Sequence, residues 1–181
     1  MSEKDKICTI SGMGPHKLPG NLDLSELLSR IDGEIRKSLL KGCTTFQTGM
    51  AMGVDIWAAE IVLKLKTEFT EVRLVCYLPC KTQTDGWPNA WREKYFAALE
   101  KADDIVGMQA HYTTGCMQRR NRDMIDASSR LIAVHDRISA GATAQAIRYA
   151  KAQGLDVVII KPLDCLRAFP DRPGRARPKK N

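Results

Sequence analysis

The chain has 181 residues, 44% hydrophobic and 27% charged, with a formal net charge of +7. That is ordinary for a globular protein and long enough for one domain with a real core. No apolar run approaches the roughly 18 residues of a membrane span, and the opening Met1-Ser2-Glu3-Lys4-Asp5 does not read as a secretory signal, so a cytoplasmic protein with no membrane partner is expected.

Residues 6–11 (KICTIS) read as a buried strand entering a Gly12-Met13-Gly14-Pro15 turn. Residues 23–40 carry Leu24, Leu27, Leu28, Ile31, Ile35 and Leu39 at helical spacing, closed by Gly42. A short strand at 44–48 leads into a helix at 53–69, and a near-continuous apolar strand follows at 72–78. A loop at 79–88, a helix at 89–101 and a strand at 105–108 come next. After a loop at 110–115 the pattern predicts a polar helix over 116–127 and a strand over 130–135. A loop at 138–141, a helix over 142–153 ended by Gly154, and a strand over 156–161 stopped by Pro162 complete the order.

Strands alternate with helices, and most strands are continuous apolar runs. This predicts an α/β, Rossmann-like, open doubly wound and mainly parallel sheet with helices on both faces. Such sheets bind ligands at the carboxyl ends of their strands. A single domain is expected over residues 1–166, followed by a basic, disordered tail at 167–181. The tail carries six cations against Asp171, which leaves the rest of the chain near +2. Its plainer role is a solubilising end; its functional role would be salt-sensitive contact with nucleic acid.

None of the six cysteines forms a CxxC pair or sits near a histidine at zinc-ligand spacing, so no metal is expected. A reduced, cytosolic protein is the simplest reading. Cys80 follows Pro79 at a strand end, where partial exposure would open it to reactivity.

The richest stretch is Thr48-Gly49-Met50-Ala51-Met52-Gly53-Val54-Asp55, at a strand-to-helix junction. Gly49 and Gly53 let backbone amides face a ligand, and Asp55 is placed to receive sugar hydroxyls. The plainer reading is a tight connection with a first-turn acid complementing the helix dipole. The segment from Ser139 to Lys151 has no acid in its first turns, so Gly141 and Thr143 make the better phosphate cradle. The competing reading is an N-cap by Ser139 or Thr143. On the polar helix, Arg120 lies over Met124, with Arg119 and Arg122 on another side. One guanidinium reaching a phosphate would suit that geometry. Gln83 and Trp87 could read and stack on a base, or simply cover the sheet end. His16 lies in a loop at the functional edge, whereas His135 ends an apolar strand and reads as a packed residue.

Several segments together resemble the SLOG superfamily, within it the YpsA-like (YoqJ-like) branch. SGMGPHKL resembles that branch's TGxRPxKL loop, and TGMAMGVDIWAAEIVLKLK its second glycine loop and helix. YLPCKTQTDGW resembles its proline-glutamine-tryptophan loop. Arg120-Asn121-x-x-Met124-Ile125-Asp126 matches RNxxMVD, and AVHD with Gly141-Ala142-Thr143 resembles its aspartate, Asp136 here, and its GGT loop. The resemblance runs from Lys6 to about Pro162. It implies a Rossmann-like fold that binds a nucleotide or nucleotide-derived ligand; relatives are often dimers, which makes a homodimer an expectation too. More distant relatives are the LOG-type phosphoribohydrolases and the DprA-type DNA-processing proteins.

The departures bear on catalysis. The phosphoribohydrolases use an arginine, matched here by Arg120 as a catalytic candidate, and a glutamate where this chain has Ala146, and Arg137 replaces the glycine usual after the strand-end aspartate. Cleaving an N-glycosidic bond needs a carboxylate, so without one there the expectation leans away from an enzyme unless Asp55 or Asp136 substitutes. The reading is therefore a nucleotide-ligand binding or sensing protein with no resident cofactor. Its pocket is formed by Gly12, His16, Gly49, Gly53, Asp55, Gln83, Trp87, Arg120, Asn121, Asp136, Gly141 and Thr143. The alternatives are a nucleoside-monophosphate phosphoribohydrolase or NAD-type N-glycosidase, and a DprA-like nucleic-acid-binding protein.

Overall fold

The computed structural model describes residues 2–168. Six strands form one sheet in the order β4-β3-β2-β1-β5-β6. They are β1 (Ile7–Gly12), β2 (Thr45–Thr48), β3 (Arg73–Leu78), β4 (Asp104–Gly107), β5 (Arg130–Val134) and β6 (Asp156–Ile160). Every pairing is parallel. The helices are α1 (Leu24–Leu40), α2 (Val54–Leu65), α3 (Asn89–Lys101), α4 (Cys116–Asp126) and α5 (Ala142–Ala152). Short 3-10 turns stand at Glu3–Lys6, Pro15–Lys17 and Pro162–Cys165.

This is the α/β, doubly wound, parallel architecture that the alternating pattern predicts, and most boundaries agree within a residue or two. The clearest difference is α2, which stops at Leu65 rather than Phe69. Thr67 Oγ1 donates to the Lys64 carbonyl at 2.7 Å, a side-chain bond that competes with the helical ladder. Asp23 caps α1 by accepting from the amides of Ser25 and Glu26.

The strands explain how two unlike faces arise. Cys8 and Ile10 of β1, Phe46 of β2, and Ile132 and Val134 of β5 join the apolar layer under α1, α2 and α3. Leu131 and Ala133 of β5 pack on the other face with Ile125, Ala146, Ile147 and Ala150 of α4 and α5. Toward α4, however, the central strands present Thr9 and Gln47, both buried. Thr9 Oγ1 donates to the Met124 carbonyl at 3.2 Å and bonds the Ser128 hydroxyl at 2.9 Å. Gln47 Nε2 donates to Thr9 Oγ1 at 2.8 Å and also to the Met124 carbonyl. A polar helix thus docks on a polar strip of the sheet, each buried donor meeting an acceptor.

All six cysteines are free and buried. Cys80 is 1% exposed, which corrects the expected partial exposure; the Thr82 hydroxyl, two residues on, lies 3.6 Å from its sulfur. Burial pushes the Cys8 and Cys76 thiols up to about 12, as expected of packed rather than reactive sulfur.

Leu22 pairs with Leu166 in an antiparallel bridge, and the Arg167 amide donates to the Asn21 carbonyl at 2.9 Å. The rest of the basic tail lies outside the described residues. No helix among the described residues is long and apolar enough to cross a membrane.

Gln47→Leu removes both hydrogen bonds that the carboxamide donates at the α4 contact and leaves the Met124 carbonyl with Thr9 alone. It is expected to cost about 1–3 kcal/mol, read as a lower urea midpoint with an unchanged slope.

Candidate functional site

β1 to β4 run outward in one direction and β5 returns to the other side of β1, so the strand order reverses between β1 and β5. The connections leaving these two strands diverge there and open a crevice. It holds a cavity of about 270 Å³. Its lining comes from Gly12 at the end of β1, Met13, Gly14, His16 and Lys17 after it, Ala51 after β2, Met117 and Arg120 of α4, and His135 with Ser139 to Ala144 after β5. Five of the predicted residues therefore meet in one hollow: Gly12, His16, Arg120, Gly141 and Thr143.

Arg120 forms the floor and is only 4% exposed. Its Nη1 donates to the Gly49 carbonyl and its Nε to Asn121 Oδ1 at 3.1 Å. Gln83 Nε2 donates to the same Gly49 carbonyl at 3.0 Å. A Cβ on Gly49 would stand 2.4 Å from Arg120 Cζ, so this position must be glycine for the guanidinium to seat. Burial lowers the guanidinium's proton affinity, and the neighbouring Asp55 opposes that shift.

Asp55 lies behind the floor and is 2% exposed. One oxygen accepts from the Gly12 amide at 3.1 Å, the other from the Ala51 amide at 3.3 Å. Burial pushes its carboxyl up to about 6, while Arg120 and those amides hold it from rising further. Its oxygens thus tie the loops after β1 and β2 together rather than facing the cavity. Gly53, at φ +94°, is in the left-handed region and backs against the Met13 carbonyl and Pro15.

The loop after β5 is held by its own side chains. His135 Nδ1 accepts from the Arg137 amide at 2.9 Å, so Nε2 carries the proton and donates to the Ser139 carbonyl at 2.9 Å. Asp136 accepts from the amides of Ile138 and Ser139, both at 2.8 Å, and from the Ser139 hydroxyl. The Ser139 hydroxyl and these amides pull the Asp136 carboxyl down to about 2. Arg137 adopts φ 69°, the left-handed turn that a glycine would take freely.

These bonds decide how α5 begins. The capping position is Gly141, with no side-chain cap. Neither expected cap forms: the Ser139 hydroxyl is committed to Asp136, and Thr143 lies inside the helix, past the capping position. The first-turn amides of α5 are left without a side-chain acceptor at the cavity wall. Lys17 stands over them: a Cβ on Gly141 would lie 3.1 Å from Lys17 Nζ. Sequence reasoning passed over Lys17, although it lies within the SGMGPHKL segment and shares the Pro15–Lys17 turn with His16.

Gln83 and Trp87 do not line the cavity. Trp87 packs edge-on against Tyr95, with ring centroids 5.6 Å apart. Asn121 faces away, into a groove between α4 and α5. Arg119 and Arg122 are exposed, and Arg122 lies over the Tyr149 ring, 5.6 Å from its centroid. Among the residues lining the cavity there is no Asp or Glu. Ala146 is buried on the inner side of α5. The described residues contain no group of three His, Cys, Asp or Glu able to hold a metal.

A six-stranded parallel sheet with its crevice at the reversal of strand order defines a Rossmann-like protein. Within that class, the YpsA model, described as the YspA SLOG family, matches residues 22–164, and the chain belongs to that family. A UPF0398 protein of Halalkalibacterium halodurans is 25% identical over 169 residues, covering 88% of this chain and 89% of its own. A UPF0398 protein of Bacillus thuringiensis is 28% identical over 130 residues, covering 66% of this chain and 71% of its own. Among solved structures, DNA processing protein A of Helicobacter pylori, described for its single-stranded DNA binding mode, superposes with a TM-score of 0.55 at 18% identity. The match covers 86% of this chain and 66% of that one, a likeness of fold.

Gly49→Ala drives a methyl into the buried guanidinium and should destabilise the fold by roughly 1–3 kcal/mol, measured by urea unfolding. Asp55 binds its proton more tightly folded (about 6) than unfolded (3.8), so its contribution to stability falls as pH rises from about 4 to about 6 and is flat above. The stability difference between wild type and Asp55→Asn should decline across that window, by up to about 3 kcal/mol, in unfolding curves taken at successive pH values.

Proposed function

We propose that this protein binds a phosphorylated, nucleotide-type small molecule in the crevice between β1 and β5 and holds it without cleaving it. The observation that carries this reading is the wall made by Gly141 and Lys17. Uncapped first-turn amides of α5 and a lysine ammonium converge on one hollow, with the Arg120 guanidinium at its floor. Amides, a helix N-terminus and a fixed cation together suit a phosphate.

The lack of a carboxylate in the lining argues for binding over glycosidic cleavage. Stabilising a cationic sugar or activating water requires an acid within reach. Asp55 faces amides behind the floor, Asp136 holds its own loop, and position 146 offers a methyl group. His16 and the Gly12–Gly14 backbone remain on the open side for sugar or base contacts.

A second reading, contact with single-stranded nucleic acid, is favoured by a specific feature. Arg137, Arg148 and Lys151 line a further hollow beside the cavity and extend its positive field along α5. DNA processing protein A, with the similar fold, is described as binding single-stranded DNA.

A thermal-shift series with AMP, ADP and adenosine tests the first reading. The phosphorylated compounds should raise Tm increasingly with concentration while adenosine does so weakly. Lys17→Ala, at an exposed position, should weaken AMP by about 5- to 10-fold without lowering the Tm of the free protein, as the loss of one charge-assisted contact predicts. No stabilisation by any phosphorylated nucleotide would remove this reading. An oligonucleotide retained only at low salt would favour the second.

A further inference from the structure

The cavity at the crevice leaves no room for a ligand larger than a single nucleotide. At about 270 Å³ it lies just under the roughly 300–1,000 Å³ usual for small-molecule sites. Next to it lies a larger hollow, a groove of about 490 Å³ between α4 and α5. Ala142 lines both, so no more than a short side chain stands between them at that point. α4 divides its faces accordingly. Met117 and Arg120 look into the cavity, and Gln118 and Asn121 into the groove.

Of the polar side chains that line the groove, only that of Asn121 is buried. Asn121 is 5% exposed. Arg120 Nε can only donate, so the Asn121 atom that meets it at 3.1 Å must be Oδ1. The carboxamide nitrogen of this groove-lining residue is left with no acceptor among the described residues. That nitrogen keeps contact with solvent, so an acceptor on a ligand would take the place of water there. Around it stand the amides of Gln118 and Gln145 and the cations of Arg122 and Arg148, with no carboxylate in the lining. Ala146 keeps the groove open where a longer acidic side chain would both fill it and repel an anion.

We propose that the groove is the second compartment of one continuous site, and that its ligand has two nucleoside units joined through phosphate. The phosphate lies against Lys17 and the start of α5, one unit fills the cavity, and the other enters the groove, where Asn121 Nδ2 donates to an acceptor on it. This inference rests on the phosphate reading above. Arg120 binds the two compartments mechanically, since it floors one and orients the amide of the other.

Isothermal titration of the full chain with AMP and with two adenosines joined 5′ to 5′ through pyrophosphate tests it. The two-part probe should bind at least about 10-fold more tightly than AMP, a gap of roughly 1.4 kcal/mol. Asn121→Asp keeps the acceptor for Arg120 and replaces the donor, so it should abolish that advantage. Gln145→Trp, at an exposed position on the groove, should do the same by occlusion, and decides the matter alone if Asn121→Asp fails to fold. Equal affinities for both probes, or an advantage that survives in Gln145→Trp, would overturn the second compartment and leave the phosphate site standing. Failure of both probes to bind would overturn both readings.

Discussion

A guanidinium seated on a backbone carbonyl organises this molecule. Arg120 reaches from α4 across the end of the sheet to Gly49, and the fit is possible only because that residue lacks a Cβ. Taking a cation out of water is expensive unless it is paired and hydrogen-bonded. The structure meets that demand with three partners: the Gly49 carbonyl, Asn121 Oδ1 and the nearby charge of Asp55. Asp55 in turn draws in the amides of Gly12 and Ala51. The connections after β1 and β2 and the helix α4 thereby become one rigid floor.

The opposite wall is built on a different principle. The loop from His135 to Gly141 is held by short-range bonds, an imidazole and a carboxylate each bracing backbone within four residues. The carboxylate also takes up the Ser139 hydroxyl, which could otherwise have capped α5. The result is a helix start that is geometrically defined and chemically unsatisfied, next to Lys17. One wall is fixed by buried charges and the other by a braced turn, and the crevice between them inherits its positive character from both.

This arrangement gives physical content to membership of the YspA SLOG family. The Rossmann-like frame supplies the crevice, and the crevice chemistry depends on which side chains reach it. Here the acids near the sheet end are turned inward to hold loops, and cations and bare amides face the opening. On the reading proposed above, that division separates holding an anionic ligand from breaking its glycosidic bond. The small side chains of Ala142 and Ala146 extend the same logic sideways, leaving room between α4 and α5.

Element order and sheet type were legible in the amino-acid sequence because apolar periodicity and glycine punctuation report local geometry directly. The glycine loops were legible too, since positions such as Gly53 need a backbone that other residues strain to adopt. What each polar side chain faces was not. Asp55 and Gln83 look alike, in sequence, to residues waiting for a ligand, yet their partners are Gly12 and Ala51 in one case and Gly49 in the other. Lys17 looked like an ordinary surface cation until the return of β5 beside β1 brought Gly141 beneath it. The sequence by itself determined the fold class and the sheet edge at which the glycine loops gather, because both follow from local patterns repeated along the chain. Only the tertiary structure decided which charges are used up internally and which remain free. That depends on contacts between distant segments, as in the bond from Arg120 to Gly49, 71 residues apart along the chain.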